Sequence, residues 1–205
     1  MKKIVKSIYL FFCFLLSIFL CNWVLKLCRK IKWRILSENF KRKLKKHGKR
    51  INISDGNYFD GVNRVEVGDD FYSGQGLWLA TYGDKKETLI KIGNNFNCSK
   101  NCHIGAINSI EIKDDVLIGS NVLITDHAHG ETFDFSIPRN KLELTSKGKV
   151  SIGKNCWIGD NVVILPNVTI GDNCVIGANS VVNKSFESNS LIAGNPAKAI
   201  KRITE

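Results

Sequence analysis

From Val67 to Asn183 the chain keeps returning to a six-residue period, and that period admits few folds. Ile152, Ile158, Ile164, Ile170, Ile176 and Val182 form one unbroken series, and Ile112, Ile118 and Ile124 an earlier one. Two residues before each stands a second small or aliphatic side chain: Val150, Cys156, Val162, Val168, Cys174 and Ser180, and earlier Ile110, Val116 and Val122. Aliphatic–glycine pairs share the phase, from Val67-Gly68 and Ile92-Gly93 through Ile104-Gly105 and Ile118-Gly119 to Ile152-Gly153, Ile158-Gly159, Ile170-Gly171 and Ile176-Gly177. A period of six is neither the 3.6 of an amphipathic helix nor the alternation of a hairpin. It fits an all-β parallel β-helix, in which each short strand turns a corner and the same side chain comes back to the interior. GNN, GSN, GKN and GDN are the expected corners, where Gly and Asn adopt positive φ at little cost. Three strands per coil give a coil of 18 residues, so 51–183 hold about six or seven coils once loops are removed. The longest break is 125–149. A long loop on a regular solenoid is where function is expected.

The net charge of +11 suggests a nucleic-acid binder until the chain is divided. Residues 1–50 carry 15 Lys+Arg and the single acid Glu38, a charge of +14; residues 51–205 carry 15 bases and 18 acids, a charge of −3. The bases lie beside an apolar run and are not interleaved with aromatics in the domain, so no nucleic-acid partner is expected.

Ser7 to Leu25 is a run of 19 uncharged residues. As a helix it reaches about 28 Å, close to a bilayer's hydrocarbon thickness. Trp23 sits near one end, where an aromatic belt would put it. Residues 1–25 are therefore expected to form a transmembrane or membrane-anchor helix. A cleaved signal peptide is the alternative, but no small-x-small site follows the run. Three lysines precede it, whereas twelve bases lie between Lys26 and Arg50. That asymmetry puts the C-terminal side in the cytoplasm of a bacterial inner membrane. Residues 26–50 read as a basic amphipathic helix, with Ile31, Ile35, Leu36, Phe40 and Leu44 on one stripe and Gly48 as its stop. Such a helix either lies on an anionic membrane surface or packs on the domain or a partner subunit. Residues 51–205 form the β-helix domain.

Cys98, Cys102, Cys156 and Cys174 fall at inward positions of the repeat, and Cys13, Cys21 and Cys28 lie in or just past the apolar run. None has metal-ligand spacing, so no metal is expected. The GQG at Gly74–Gly76 lacks the strand–turn–helix setting of a nucleotide fingerprint.

The hexapeptide blocks, the DHAHG segment at Asp126–Gly130, the NCWIGDNVVILPNVTIGDNCVIGANSVV run and the terminal AGNPAKAI resemble hexapeptide-repeat acetyltransferases, in particular the galactoside, maltose and surface-polysaccharide O-acetyltransferases. The resemblance covers about residues 60–202. It implies a left-handed winding, a homotrimer with sites between neighbouring subunits, and acetyl-CoA as donor.

Acetyl transfer from a thioester to a sugar hydroxyl needs a general base, a donor for the oxyanion and alignment of the two substrates. Histidine is the usual base. His127 and His129 lie in the long loop, while His47 ends the basic helix and His103 sits beside Ile104 in a coil. Counting five residues past the last inward aliphatic, as in galactoside-type relatives, gives His129 as the first choice and His127 as the second, with Asp126 or Glu131 orienting the imidazole. The resemblance also places Trp157, Gly159 and Asp160 on the donor side, the backbone N–H of Asp160 as oxyanion donor. Ala178, Asn183 and Lys184 match positions near the pantetheine arm, and Lys198 and Lys201 match those meeting the CoA phosphates. Ser99 falls where a relative has an Asn touching the acceptor. The function expected is O-acetylation of a sugar of a lipid-linked oligosaccharide in surface-polysaccharide biosynthesis. N-acetylation of an amino sugar nucleotide and a non-catalytic β-helix scaffold are the alternatives; the histidine loop argues against the scaffold.

Overall fold

The computed structural model describes residues 2–19, 22–83, 87, 89–130 and 136–202. Three parallel sheets form the walls of a β-helix. The first runs in six strands from Lys46–His47 to Thr169–Ile170, the second in eight from Asn52–Ile53 to Lys198–Arg202, and the third in six from Tyr58–Asp60 to Val181–Val182. All pairings in these sheets are parallel except the last, where Lys198–Arg202 folds back antiparallel on Ser190–Ala193.

Register explains the repeat. In the second sheet Cys98, Ile118, Ile158 and Ile176 stack in successive coils. Each of the four is 1% exposed or less. An interior isoleucine contributes roughly 1.5–3 kcal/mol through burial, so one column carries a large share of a coil's stability. The 18-residue coil holds only late in the chain: Trp157 pairs with Val175 and Val163 with Val181. Earlier coils are longer. Asn97 pairs with Leu117 and His103 with Leu123, 20 residues on; Tyr72 pairs with Asn97, 25 on; Leu117 pairs with Trp157, 40 on. The extra residues lie in the corner between the third and first sheets, which opens into the loop before Val150.

The corners also differ from expectation in one respect. Asn and Asp carry the positive φ, for example at Asn95, Asn121, Asn161, Asn173 and Asn179, but the glycines of the Ile-Gly pairs do not. The asparagine amides bond from coil to coil, Asn121 to Asn161 at 3.0 Å and Asn161 to Asn179 at 3.1 Å. Glycine is needed there for a different reason. A Cβ on Gly153 would lie 2.5 Å from the backbone nitrogen of Asp172 in the next coil.

The N-terminal fifty residues depart most from the sequence reading. Helix α1 spans Lys2–Phe19 and helix α2 spans Asn22–Lys43, so the apolar run is shared between two helices. Among the described residues no helix is long and apolar enough to cross a membrane. Lys2, Lys3 and Lys6 lie within α1, which leaves too short an apolar stretch. The expected stripe on α2 also divides. Ile31 and Ile35 are exposed, whereas Leu36 packs against the core and Phe40 is buried. Phe40 stacks on Phe59 at 4.3 Å and lies 5.9 Å from Phe71, covering the open end of the coil stack. The buried hydroxyl of Ser37 accepts the Ile53 N–H at 3.0 Å. The latter half of α2 is thus a cap on the domain. The chain turns out of it into Lys46–His47, already a strand paired with Glu66–Val67.

Candidate active site

The long loop begins where the third-sheet strand Leu123–Thr125 ends, and the next residue is the anchor. Asp126 is fully buried, and its carboxylate accepts three backbone N–H groups from the corner of the preceding coil: Ile107 at 2.9 Å, Asn108 at 2.8 Å and Ser109 at 2.6 Å. The same carboxylate lies 3.1 Å from Nδ1 of His127, and Thr125 Oγ1 is also 3.1 Å from that nitrogen. If Nδ1–H donates to the carboxylate, Nε2 is left with its lone pair free, the form that serves as a base.

Three further side chains complete the cluster. A Cβ on Gly105 would lie 3.2 Å from His103 Nε2, 3.3 Å from His127 Cε1 and 3.6 Å from Tyr82 Cε2, so the missing side chain is the space where the three rings converge. Tyr82 meets His127 edge-on at 5.4 Å, and His103 stacks on Trp78 at 4.9 Å. Burial, and then a charge on His127, push the His103 imidazole below its usual pKa and favour its neutral form. Burial also pushes the Tyr82 phenol up. Sequence reasoning missed Tyr82, Thr125 and His103 as members. The usable signal was coil offset, since Trp78, His103 and Leu123 pair in register across the third sheet.

The preferred base, His129, is not brought to this cluster. It is exposed on the short strand Ala128–His129, which pairs antiparallel with Leu144–Thr145 of the same loop. Past Asp126 the chain has left the coil, so a count carried forward from Ile124 no longer fixes where a side chain points. Glu131 lies outside the described residues.

The donor-side candidates sit on other walls. Trp157 is 55% exposed on the second sheet, between Leu117 and Val175. A Cβ on Gly159 would lie 2.7 Å from the backbone nitrogen of Ala178, which keeps that corner tight. The Asp160 carboxylate accepts the Ser120 N–H at 2.6 Å, so its side chain belongs to the corner ladder. Asn183 is exposed, and Lys184 lies 5.7 Å from the Phe186 ring centre, both after the last strand of the third sheet. Lys198 and Lys201 are exposed on the final antiparallel strand. Ser99 lies far from these lysines along the second sheet, in the corner between Asn97–Cys98 and His103–Ala106. Within one chain, then, Asp126 and His127 meet, while Trp157 and the terminal lysines lie on a different sheet. Among the described residues no group of three His, Cys, Asp or Glu side chains could hold a metal ion.

Together the coil stack and the carboxylate-anchored histidine define a hexapeptide β-helix enzyme of the acyl-transfer class. The family model "Bacterial transferase hexapeptide (six repeats)" matches residues 149–184. WbbJ of Escherichia coli K12, named for lipopolysaccharide biosynthesis as an O-acetyl transferase, is 38% identical over 151 residues, 71% of this chain and 75% of its own length. A maltose O-acetyltransferase from Clostridium difficile 630 is 30% identical, with a TM-score of 0.58 over 82% of this chain and 74% of its own. AntD, an N-acyltransferase from Bacillus cereus solved with dTDP-4-amino-4,6-dideoxyglucose and coenzyme A, shares the fold at a TM-score of 0.70 over 83% of this chain and 90% of its own, with 21% identity. The chain belongs to the hexapeptide-repeat acetyltransferases and is an acyltransferase.

Proposed function

We propose that this protein transfers acetyl from acetyl-CoA to a sugar hydroxyl during surface-polysaccharide assembly, with His127 as the base. The observation that carries the reading is the buried Asp126 carboxylate held by three N–H groups and lying against His127 Nδ1. Nε2 takes the hydroxyl proton as the oxygen attacks the thioester carbon; the carbon–sulfur bond breaks and the coenzyme A thiolate leaves and is protonated. Trp157, Gly159, Asp160, Ala178, Asn183, Lys184, Lys198 and Lys201 are assigned to the donor and Ser99 to the acceptor side, while Asp126, being fully buried, orients His127 and does not meet the acceptor. The names of WbbJ and the maltose enzyme favour a hydroxyl acceptor. The likeness to AntD favours an amine on a nucleotide sugar. Incubating the full-length protein with labelled acetyl-CoA and a panel of lipid-linked and nucleotide-linked sugars separates them. An alkali-labile acetyl ester on a sugar hydroxyl is expected, and an alkali-stable amide would assign the N-acyl reading.

The assembly proposed is a homotrimer of left-handed β-helices, because His127 and Trp157 lie on different walls of one chain and a neighbour's second sheet can face the His127 corner. Light scattering should give three times the 23.0 kDa chain mass. A fully active monomer would sink this.

Attachment to the cytoplasmic face of the inner membrane is proposed from α1, whose Ile4, Ile8, Phe11, Phe12 and Phe14 are all exposed, and from the bases that follow it. An apolar helix flanked by lysines buries its side chains in the lipid interface. The full chain should float with anionic vesicles and a chain lacking residues 1–25 should not. Equal flotation of the two would remove the anchor role.

A further inference from the structure

Where α2 passes the corner between the second and third sheets, an open pocket of 280 Å³ lies well away from His127. Arg29 and Trp33 of α2 form one side, and Tyr72, Gln75, Ser99 and Lys100 of the coils form the other. The helix is fixed there by the Ser37–Ile53 bond and by the ion pair of Lys32 with Asp55 at 2.7 Å. Arg29 lies 5.4 Å from the Trp33 ring centre, an arrangement that keeps its guanidinium beside the pocket. The indole Nε1–H of Trp33 is buried and has no hydrogen-bond partner among the described residues. Among the described residues no carboxylate lines the pocket. Asp55, close by, is engaged by Lys32 and by the Gln75 amide at 2.8 Å. Among the described residues the pocket therefore has two cations without a counter-ion and two aromatic rings.

That combination matches one ligand chemistry. A guanidinium fork and an ammonium recognise phosphate oxygens, and aromatic faces suit the C–H face of a sugar. Resting on the acetyl-transfer reading above, we propose that this pocket binds the diphosphate through which the acceptor sugar is carried, whether a polyprenyl diphosphate or a nucleoside diphosphate. The placement fits the chemistry. Lys100 is five residues before Gly105, where the His127 ring lies, so at no more than about 3.6 Å per residue the two Cα atoms are within about 18 Å of each other. A short oligosaccharide spans that reach. Arg29 lies in α2, ten residues along the chain from the end of the apolar helix α1.

The test uses the full-length chain in detergent micelles, saturated with coenzyme A so that the donor's own phosphate contacts are occupied, and titrated with inorganic pyrophosphate by calorimetry. Saturable binding is expected. It should weaken at least tenfold in Arg29→Gln/Lys100→Gln, and change less than twofold in Lys46→Gln/Lys49→Gln, which removes the same charge elsewhere. Absent binding, or equal weakening in both double variants, overturns the pocket. A second arm compares acetylation of one sugar as free sugar, polyprenyl diphosphate and nucleoside diphosphate. A lower KM for either diphosphate, lost in Arg29→Gln/Lys100→Gln, supports the proposal and identifies the carrier. No preference for either diphosphate over the free sugar overturns it. Variant-sensitive pyrophosphate binding without acetylation of any acceptor leaves the diphosphate site standing and overturns the acetyl-transfer reading instead.

Discussion

His127→Ala is expected to lower acetyl transfer about 10²–10⁴-fold, the usual worth of a general base. His129→Ala should stay within about tenfold, because His129 is exposed on a loop hairpin while His127 lies against the buried carboxylate. Measuring both single variants at saturating acetyl-CoA decides the matter. A dead His129→Ala beside an active His127→Ala would reverse the roles. Near-full activity in both would remove the proposed mechanism. The fold should persist in either, since neither ring lies in the coil interior.

Asp126 carries the second large effect, and here stability and activity should fall together. Asp126→Ala leaves three half-buried backbone donors, from Ile107, Asn108 and Ser109, without their acceptor. Each such loss costs about 1–3 kcal/mol when fully buried, and these half-buried donors fall at the low end, so a destabilisation of roughly 3–5 kcal/mol is expected as a lower denaturant midpoint. Asp126→Asn separates the two roles. Its amide nitrogen replaces one acceptor oxygen with a donor. Where that donor faces His127 it favours the tautomer with the proton on Nε2, which is no longer a base. A loss of about 10²-fold or more in turnover is expected, with a smaller shift in the denaturant midpoint than in the alanine variant. Unchanged turnover in Asp126→Asn would show that the carboxylate does not set the tautomer.

The core was readable because a β-helix has a local rule. Each inward position recurs after a fixed number of residues, so Ile118, Ile158 and Ile176 announce themselves by spacing, and so do the buried thiols Cys98, Cys102, Cys156 and Cys174. The reason for the glycines was less visible. Spacing marks Gly153 as a corner, but only the approach of the next coil shows that a Cβ would strike Asp172, while neighbouring asparagines supply the positive φ.

Where the chain leaves the repeat, local rules stop. An offset counted along the loop selected His129; the buried carboxylate lies against His127, and its three partners come from a corner 17 to 19 residues earlier that only folding brings near. Tyr82 and His103 join it for the same reason, two coils and one coil away in space and more than twenty residues away along the chain. At the N-terminus the apolar stripe on α2 foretold a buried face without saying what buries it. The membrane surface and the domain both offer an apolar partner, and the stacking of Phe40 on Phe59 and its closeness to Phe71 decide for the open end of the coils. The sequence by itself determined the repeat, its interior and the histidine-bearing loop, since these follow from periodic burial. Only the tertiary structure decided which histidine meets a carboxylate and which aromatic caps the stack, because both depend on contacts between segments that no spacing rule connects.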